Sequence, residues 1–268
     1  MFALRDAIYL IELAFYVPVV PAILFIILFH GNKNPYTWRP VVIPLIILSG
    51  LRIAAAGLGL AAIDPAKSNL LPTATLLDTI GLAPVLCLLI GLLIRANAPV
   101  YKGLPLWVFV PLHMVTIAAT VMTAYGGRDL YTSRDSQAQE KEKDLRLMRA
   151  GIILFIALFV GIILLSVITM LKIPMKFYRT ERGAVICALL CVPFLSVRLS
   201  FSAGSLFSGE RSVLDPMSEN DTSIWLHFLM VIVMEYVVTL SATAVALTAK
   251  KEVVLTARRA DSPEERAI

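Results

Sequence analysis

Apolar stretches of about 20 residues or more recur seven times along the chain, separated by shorter polar segments. A segment of this length that is apolar on all sides can cross the hydrocarbon core of a bilayer as a helix. The stretches lack the alternation of apolar and polar positions that is typical of membrane β-barrels. The predicted fold is therefore all-α, an integral membrane bundle of seven transmembrane helices. The predicted spans are about 6–30, 40–63, 71–94, 105–125, 148–171, 183–206 and 223–249.

The seven spans account for almost the whole length and predict a single transmembrane domain, residues 1–249. Of the 268 residues, 58% are hydrophobic and 16% are charged, and the mean hydropathy is +0.81. This composition leaves no room for a separate soluble domain. The first apolar run lacks a small-x-small cleavage site, so we interpret it as a span rather than a signal peptide. Residues 250–268 are expected to form a disordered tail.

The basic residues of the loops predict the orientation. With the N-terminus outside or in the lumen, segments 31–39, 95–104, 172–182 and the tail from Lys250 face the cytosol and contain 13 Lys and Arg. The opposite side contains three, once the mixed-charge loop 126–149 is set aside. The positive-inside rule therefore favours a lumenal N-terminus and a cytosolic C-terminus.

Two of the predicted lumenal loops have features of their own. The alternating charges of residues 127–149 predict a short solvated helix that leads into the fifth span, and a lid over a lumenal cavity is the alternative. The acidic loop 207–222 contains the sequon Asn220-Asp221-Thr222. This makes Asn220 a candidate for glycosylation, although it lies very close to the seventh span.

Five ionisable residues lie within five different spans. A charge at the centre of a bilayer costs roughly 3 kcal/mol on insertion scales, so such residues are kept where they pair or line a wet cavity. In the predicted orientation, all five reach the outer half of the bundle. The pattern therefore predicts one shared polar interior. Its members are Glu12, Arg52, Asp78, Arg198 and Glu235.

The sequence leaves the role of this interior open. The two arginines would neutralise the acids as interhelical ion pairs that set the packing, or the five residues would form a pocket with one surplus acid. A third alternative places some of them, above all Glu12, at the membrane interface. Tyr16 is one turn from Glu12, and His227 is two turns from Glu235. The candidate ligand-binding residues are Glu12, Tyr16, Arg52, Asp78, Arg198, His227 and Glu235.

Small residues and a proline suggest how the interior is built. The second span, SGLRIAAAGLGLAA (49–62), is rich in small residues that let helices approach closely, so we expect a central helix that holds Arg52 inward. In the third span, Gly81 and Pro84 follow Asp78. Because Pro84 cannot donate a hydrogen bond to the carbonyl of residue 80, a kink beside Asp78 is expected.

Motifs for several chemistries are missing from the sequence. There is no HExxH, P-loop, DDxxD-type motif, zinc-ligand spacing, GxSxG with a plausible base, or mid-span lysine in the seventh span. No metal and no cofactor are therefore predicted. The net charge of +5 follows from the loops, so no nucleic-acid partner is expected. The expected partners are the lipid bilayer and a small lipophilic molecule, and the oligomeric state stays open.

Four strings carry a resemblance to a known family: LRIAAAGLGL (51–60), DTIGLAPVLCLLIGLLIR (78–95), VPFLSVRLSFS (192–202) and MEYVVT (234–239). They resemble an uncharacterised family of filamentous-fungal seven-span proteins, which is known by a domain-of-unknown-function label. The family is distantly similar to fungal lipid-translocating exporter-like and seven-span receptor-like proteins, and members can occur near secondary-metabolite genes. The resemblance implies the fold, but not the activity. Fungal membrane terpene cyclases offer only an architectural parallel.

Three functions follow as hypotheses. The first is a protein of the endoplasmic reticulum or plasma membrane that binds or translocates a small lipophilic molecule, in fungal secondary metabolism. The second is a cofactor-independent cyclase or isomerase of a terpenoid or polyketide, in which Asp78 and Glu235 are the catalytic acids. The third is a non-catalytic scaffold for other membrane enzymes. We favour the first.

Overall fold

The computed structural model describes residues 4–30, 35–98, 104–132, 138–172, 179–207 and 220–248, and within these ranges every regular element is helical. Short 3₁₀ segments occupy Pro65–Leu70 and Leu106–Val108, and a π-helical segment occupies Phe228–Val233. The α-helices are α1 (Leu4–His30), α2 (Pro35–Ala61), α3 (Leu71–Ile80), α4 (Leu82–Asn97), α5 (Val110–Thr132), α6 (Ala138–Lys172), α7 (Arg179–Phe207), α8 (Asp221–His227) and α9 (Met234–Thr248).

Seven stretches of the described chain are long and apolar enough to cross a membrane, which confirms the predicted all-α fold of a multi-pass membrane protein. Helices α3 and α4 together form the third span, and α8, the π-helical segment and α9 form the seventh. The spans are Leu4–Leu28, Arg39–Ala61, Leu71–Asn97, Leu106–Arg128, Glu142–Lys172, Arg182–Phe207 and Asp221–Leu247. The lumenal position of the N-terminus stays a prediction, and the tail 250–268 lies outside the described residues.

The seven spans form a closed ring, and the third span also reaches across it. Consecutive spans pack side by side, and the seventh packs against the first. The third span additionally contacts the fifth, sixth and seventh. In its most apolar stretch 72% of the residues are buried, compared with 50% for the second span. The expectation of a central second span is therefore wrong: its small residues permit close approach, but the third span is surrounded by neighbours.

Glycines permit the closest helix contacts. A Cβ atom at Gly91 of α4 would overlap the backbone carbonyl of Pro40 in α2, and one at Gly126 of α5 would lie 2.6 Å from the carbonyl oxygen of Asp144 in α6. Such approaches bring helix backbones within contact distance. By contrast, Gly50 and Gly57 of the second span meet no atom within 4 Å, so packing does not explain them.

The polar segment before the fifth span is a continuation of the span helix. Helix α5 extends to Thr132, and α6 begins at Ala138 and runs without interruption into the fifth span. Arg146 and Glu142 form an exposed (i, i+4) ion pair of 2.6 Å on this extension. At the far end of α6, Thr169 accepts a hydrogen bond of 3.0 Å from Asn97 of α4. The predicted solvated helix is thus fused to the span.

Several hydroxyl groups within the spans are satisfied by their own helix. Thr75, Thr116 and Ser166 each donate to the carbonyl oxygen four residues earlier, at 3.1, 2.7 and 2.7 Å. This bond removes an unpaired hydroxyl from an apolar environment without needing another helix. Hydroxyls of this kind therefore need no functional explanation.

We expect Gly91→Ala to lower the stability of the bundle by about 1–3 kcal/mol, because the added methyl group forces α4 away from the backbone at Pro40. The control is Gly57→Ala, in which the methyl group meets open space and alanine favours the helix. Thermal unfolding of detergent-purified protein measures both. Equal melting temperatures for the two variants would contradict the close packing at Gly91.

Candidate functional site

The five ionisable residues of the spans meet in one network. They lie on five separate helices, in the half of the bundle nearer the N-terminus, and all are buried. Glu12 and Asp78 lie about two turns after the starts of α1 and α3, and Arg52 and Arg198 lie about two and a half turns before the ends of α2 and α7. Glu12 is completely buried among the helices, and its depth in the membrane stays a prediction.

Arg52 lies at the centre of the network and contacts all three acids. Its Nη1 atom donates to Glu12 Oε1 at 3.0 Å and to Asp78 Oδ1 at 2.6 Å. Its Nη2 atom donates to Glu235 Oε2. Because the guanidinium group is planar and always charged, it can hold acids from three helices at once. The second, first, third and seventh spans are therefore tied at one point.

Arg198 extends the network to the sixth span. Its Nε atom donates to Glu235 Oε1 at 2.8 Å, and Nη1 donates to Ser202 Oγ at 2.6 Å. Its Nη2 atom donates to the backbone carbonyl oxygen of Asp78 at 3.0 Å. Glu235 consequently lies between both arginines and accepts a hydrogen bond on each of its oxygens. It is the acid with the strongest local compensation of its charge.

The backbone next to Asp78 is shaped for this contact. Helix α3 ends at Ile80, and α4 begins at Leu82 after Gly81, as expected from Pro84. A Cβ atom at Gly81 would lie 3.2 Å from Arg52 Nη2, closer than ordinary packing allows. Because Gly81 has no side chain, the Arg52 guanidinium group can lie close to the backbone of the third span.

A wall of polar atoms lies beside the network on the first, second and seventh spans. Six buried polar atoms here have no hydrogen-bond partner among the described residues, and the ring of Tyr236 stacks on Phe15 at a centroid distance of 3.8 Å. Native proteins leave few such groups unpaired, so each calls for an explanation. The atoms are Glu12 Oε2, Tyr16 Oη, Ser49 Oγ, Arg52 Nε, Tyr236 Oη and Thr239 Oγ1.

Two small cavities adjoin Asp78. Each has a volume of about 20 Å³, and both are lined by Thr75, Asp78 and His227. One continues to Arg198 and Ser202, and the other continues to Arg5 and Tyr9 of α1. This volume is enough for about one water molecule beside polar groups. Asp78 therefore has room for hydration, whereas Glu12 lines neither cavity.

A larger cleft opens at the end of the bundle where α1 begins. Its volume is about 350 Å³, and it lies between the starts of α1, α3 and α8 and the end of α2. It shares Arg5, Tyr9 and Ile224 with one of the small cavities. The cleft therefore adjoins the small cavity that Asp78 lines. The lining residues are Leu4, Arg5, Asp6, Tyr9, Gly59, Ala62, Ile63, Leu71, Asp221 and Ile224.

The remaining candidates occupy different positions. Tyr16 is fully buried in the polar wall, and His227 lines both small cavities. Asn220 caps α8, because its side-chain oxygen accepts from the backbone N–H of Thr222 at 3.3 Å, and its glycosylation stays a prediction. Within the described ranges, no group of three or more His, Cys, Asp or Glu side chains is arranged to hold a metal ion.

The match with protein families agrees with this architecture. The model of a family described as a domain of unknown function, DUF7702, matches residues 2–252. The chain belongs to the DUF7702 family. All seven spans and all five network residues fall within the match. No curated protein and no solved structure matches the chain significantly. The predicted family of unknown function is confirmed at this level, and its fungal origin stays a prediction.

Sequence reasoning missed several residues of the DUF7702 site. Ser202 lies one turn after Arg198, so its hydrogen bond was detectable from helical spacing. Tyr9 lies one turn before Glu12 and was detectable in the same way. Arg5 and Asp6 lie at the start of the first span, and no motif in the sequence marks them as site residues. Their place in the cleft depends on how α1 packs against α3 and α8, which local pattern does not reveal.

We expect Arg52→Met to destabilise this DUF7702 protein by roughly 3–5 kcal/mol, because it leaves three buried acids with one arginine. Thermal unfolding in detergent is the measurement. The control is Arg146→Met, which removes an exposed ion pair and is expected to cost about 0.5 kcal/mol or less. A melting temperature for Arg52→Met that matches the control would contradict the central role of Arg52.

Proposed function

We propose that this DUF7702 protein binds a small amphiphilic molecule in the cleft where α1 begins and translocates it or responds to it through the buried network. One observation carries the proposal: a cleft of about 350 Å³ adjoins a water-sized cavity that Asp78 lines. Small-molecule sites in proteins typically enclose about 300–1,000 Å³. The cleft is therefore large enough for a head group and the start of a chain.

The chemistry of the cleft suits an amphiphile. Charged side chains from the starts of two helices, Arg5, Asp6 and Asp221, line one part of it. The apolar side chains of Ile63, Leu71 and Ile224 line another. A molecule with both charges on a small head group would find partners of each sign, while its apolar part contacts the aliphatic side chains. A zwitterionic head with a single chain is the simplest such ligand.

The cleft is coupled to the network through shared side chains. Arg5 and Tyr9 line the cleft and also the small cavity that contains Asp78. Asp78 in turn accepts from Arg52, which contacts the first and seventh spans. Tyr9 lies one turn before Glu12 on α1. A ligand that displaces Tyr9 would therefore act close to the ion pairs. Rearrangement of the helices around Arg52 is the response that we propose.

The size of the inner cavities favours binding over catalysis. A cyclase or isomerase would need its substrate beside Asp78 or Glu235, whereas each described cavity at Asp78 has a volume of about 20 Å³. A scaffold would need neither the cleft nor the network. We extend the proposal to fungal secondary metabolism and to the endoplasmic reticulum or plasma membrane, for which the family resemblance is the only support.

The test uses a photoactivatable, clickable lysophosphatidylcholine as the probe, with the full chain in detergent micelles. We expect saturable labelling that maps to cleft residues and is lost in Ile63→Trp, because the indole fills the cleft. The matched control is Ile47→Trp on the second span. Its side chain is 49% exposed, compared with 47% for Ile63, but it does not line the cleft.

The position of the adduct decides the result. Labelling that survives Ile63→Trp, or that maps to the apolar outer surface of the helices in both variants, would overturn the cleft as the binding site. Chemical conversion of the probe by wild type, abolished in Asp78→Asn, would instead support the enzyme.

A further inference from the structure

The buried network contains an odd number of charges. Three acids face two arginines, so full ionisation would leave one uncompensated negative charge among buried groups. An unpaired charge in a low-dielectric interior is strongly disfavoured, and an acid there takes up a proton instead. One proton bound by the network would make it neutral. The question is which side chain holds that proton.

Glu12 has the weakest compensation of the three acids. It accepts one hydrogen bond, from Arg52 Nη1 at 3.0 Å, and it shares that nitrogen with Asp78, which lies closer at 2.6 Å. Its second oxygen, Oε2, is buried and has no partner within the described part of the chain. A carboxylate with a bare buried oxygen is more costly than a neutral carboxylic acid in the same place.

The other two acids have better support for a negative charge. Glu235 accepts from both arginines, one on each oxygen. Asp78 accepts the shorter bond from Arg52, and two cavities of water-molecule size adjoin it. Both acids are therefore better placed than Glu12 to remain ionised.

Other ionisable groups face the network but are poor holders of the proton. His227 of α8 lines both cavities beside Asp78. Arg198 lines one of these cavities and Arg5 lines the other, so a protonated His227 would be repelled by an arginine in each. Tyr9 and Tyr16 of α1 and Tyr236 of α9 are neutral phenols at pH 7. Helix α6 contributes Met148 and Ile152 to this region, which do not titrate.

We propose that Glu12 is a proton-binding site, with a neutral carboxyl group in the resting network and its proton on Oε2. The hydroxyl groups of Tyr16 and Tyr236 belong to the same polar wall, and a phenol oxygen can accept a hydrogen bond from a carboxylic acid. Release of the proton leaves the network with a net negative charge. The ion pair between Glu12 and Arg52 then holds the first span, but the buried network carries one uncompensated negative charge. Proton binding is therefore coupled to helix packing.

This inference does not depend on the proposed ligand. Because the folded protein holds a proton that an unfolded chain would release near neutral pH, the folded state binds more protons, and stability decreases as pH rises. Replacement of Glu12 by glutamine should abolish this dependence, since glutamine is a neutral side chain of the same shape. A role in ion pairing alone predicts the opposite, namely a loss of stability in Glu12→Gln.

The first readout is the infrared difference spectrum between wild type and Glu12→Gln, recorded at pH 7 in water and in heavy water. We expect wild type to show the C=O band of one buried carboxylic acid, shifted by deuteration, and Glu12→Gln to lack it. His227→Gln, which leaves the three acids and two arginines in place, is expected to retain the band. Absence of the band from wild type, or its persistence in Glu12→Gln, would overturn the assignment.

The second readout is the melting temperature between pH 6 and pH 9. We expect Glu12→Gln to fold and to melt within about 3 °C of wild type at pH 7, with a flatter pH dependence. Glu235→Gln removes the charge between both arginines and should melt roughly 10 °C lower. Failure of Glu12→Gln to fold would overturn the proposal. So would a melting temperature that depends on sodium at fixed pH, because a cation would then balance the charge.

Discussion

The contact of the Arg52 guanidinium group with three acids is the interaction on which the rest of the bundle depends. Its two terminal nitrogens reach Glu12, Asp78 and Glu235, so four of the seven spans converge on one side chain. In a membrane, apolar side chains are as well accommodated by lipid as by each other, so they do not specify which helices become neighbours. A buried charge that needs a partner of opposite sign does specify which helices become neighbours. The network therefore supplies the register that the apolar surfaces lack.

The same contact determines how the third span is built. The guanidinium group lies against Gly81, where α3 gives way to α4, and Arg198 reaches the backbone carbonyl of Asp78. A Cβ atom at Gly81 would crowd the Arg52 guanidinium group, since it would lie 3.2 Å from Nη2. The central position of the third span agrees with this, since both arginines donate to Asp78. Desolvation of five ionisable groups is costly, and it is offset only because nearly all of them share partners.

The sequence predicts the spans and the members of the network, because both depend on local properties. Apolar length identifies a span, and an ionisable residue within it identifies a group that needs a partner. The pairing is not local. Whether Glu235 contacts Arg52, Arg198 or both depends on how the helices are rotated about their axes. No single position in the sequence determines that rotation. The cleft was missed for the same reason, since Tyr9, Ile63 and Ile224 come together from three distant segments.

The excess of one acid suggests that the network does more than hold helices together. Two acids and two arginines would suffice for neutrality, and replacing Glu12 by an apolar residue would remove a costly buried group. Glu12 is nevertheless the least compensated acid of the network. It lies where the first span, which also lines the cleft, contacts Arg52. A group that binds or releases a proton at that junction changes the net charge of the network by one. The buried network and the cleft can then act as two sites on one helix, each sensitive to the state of the other.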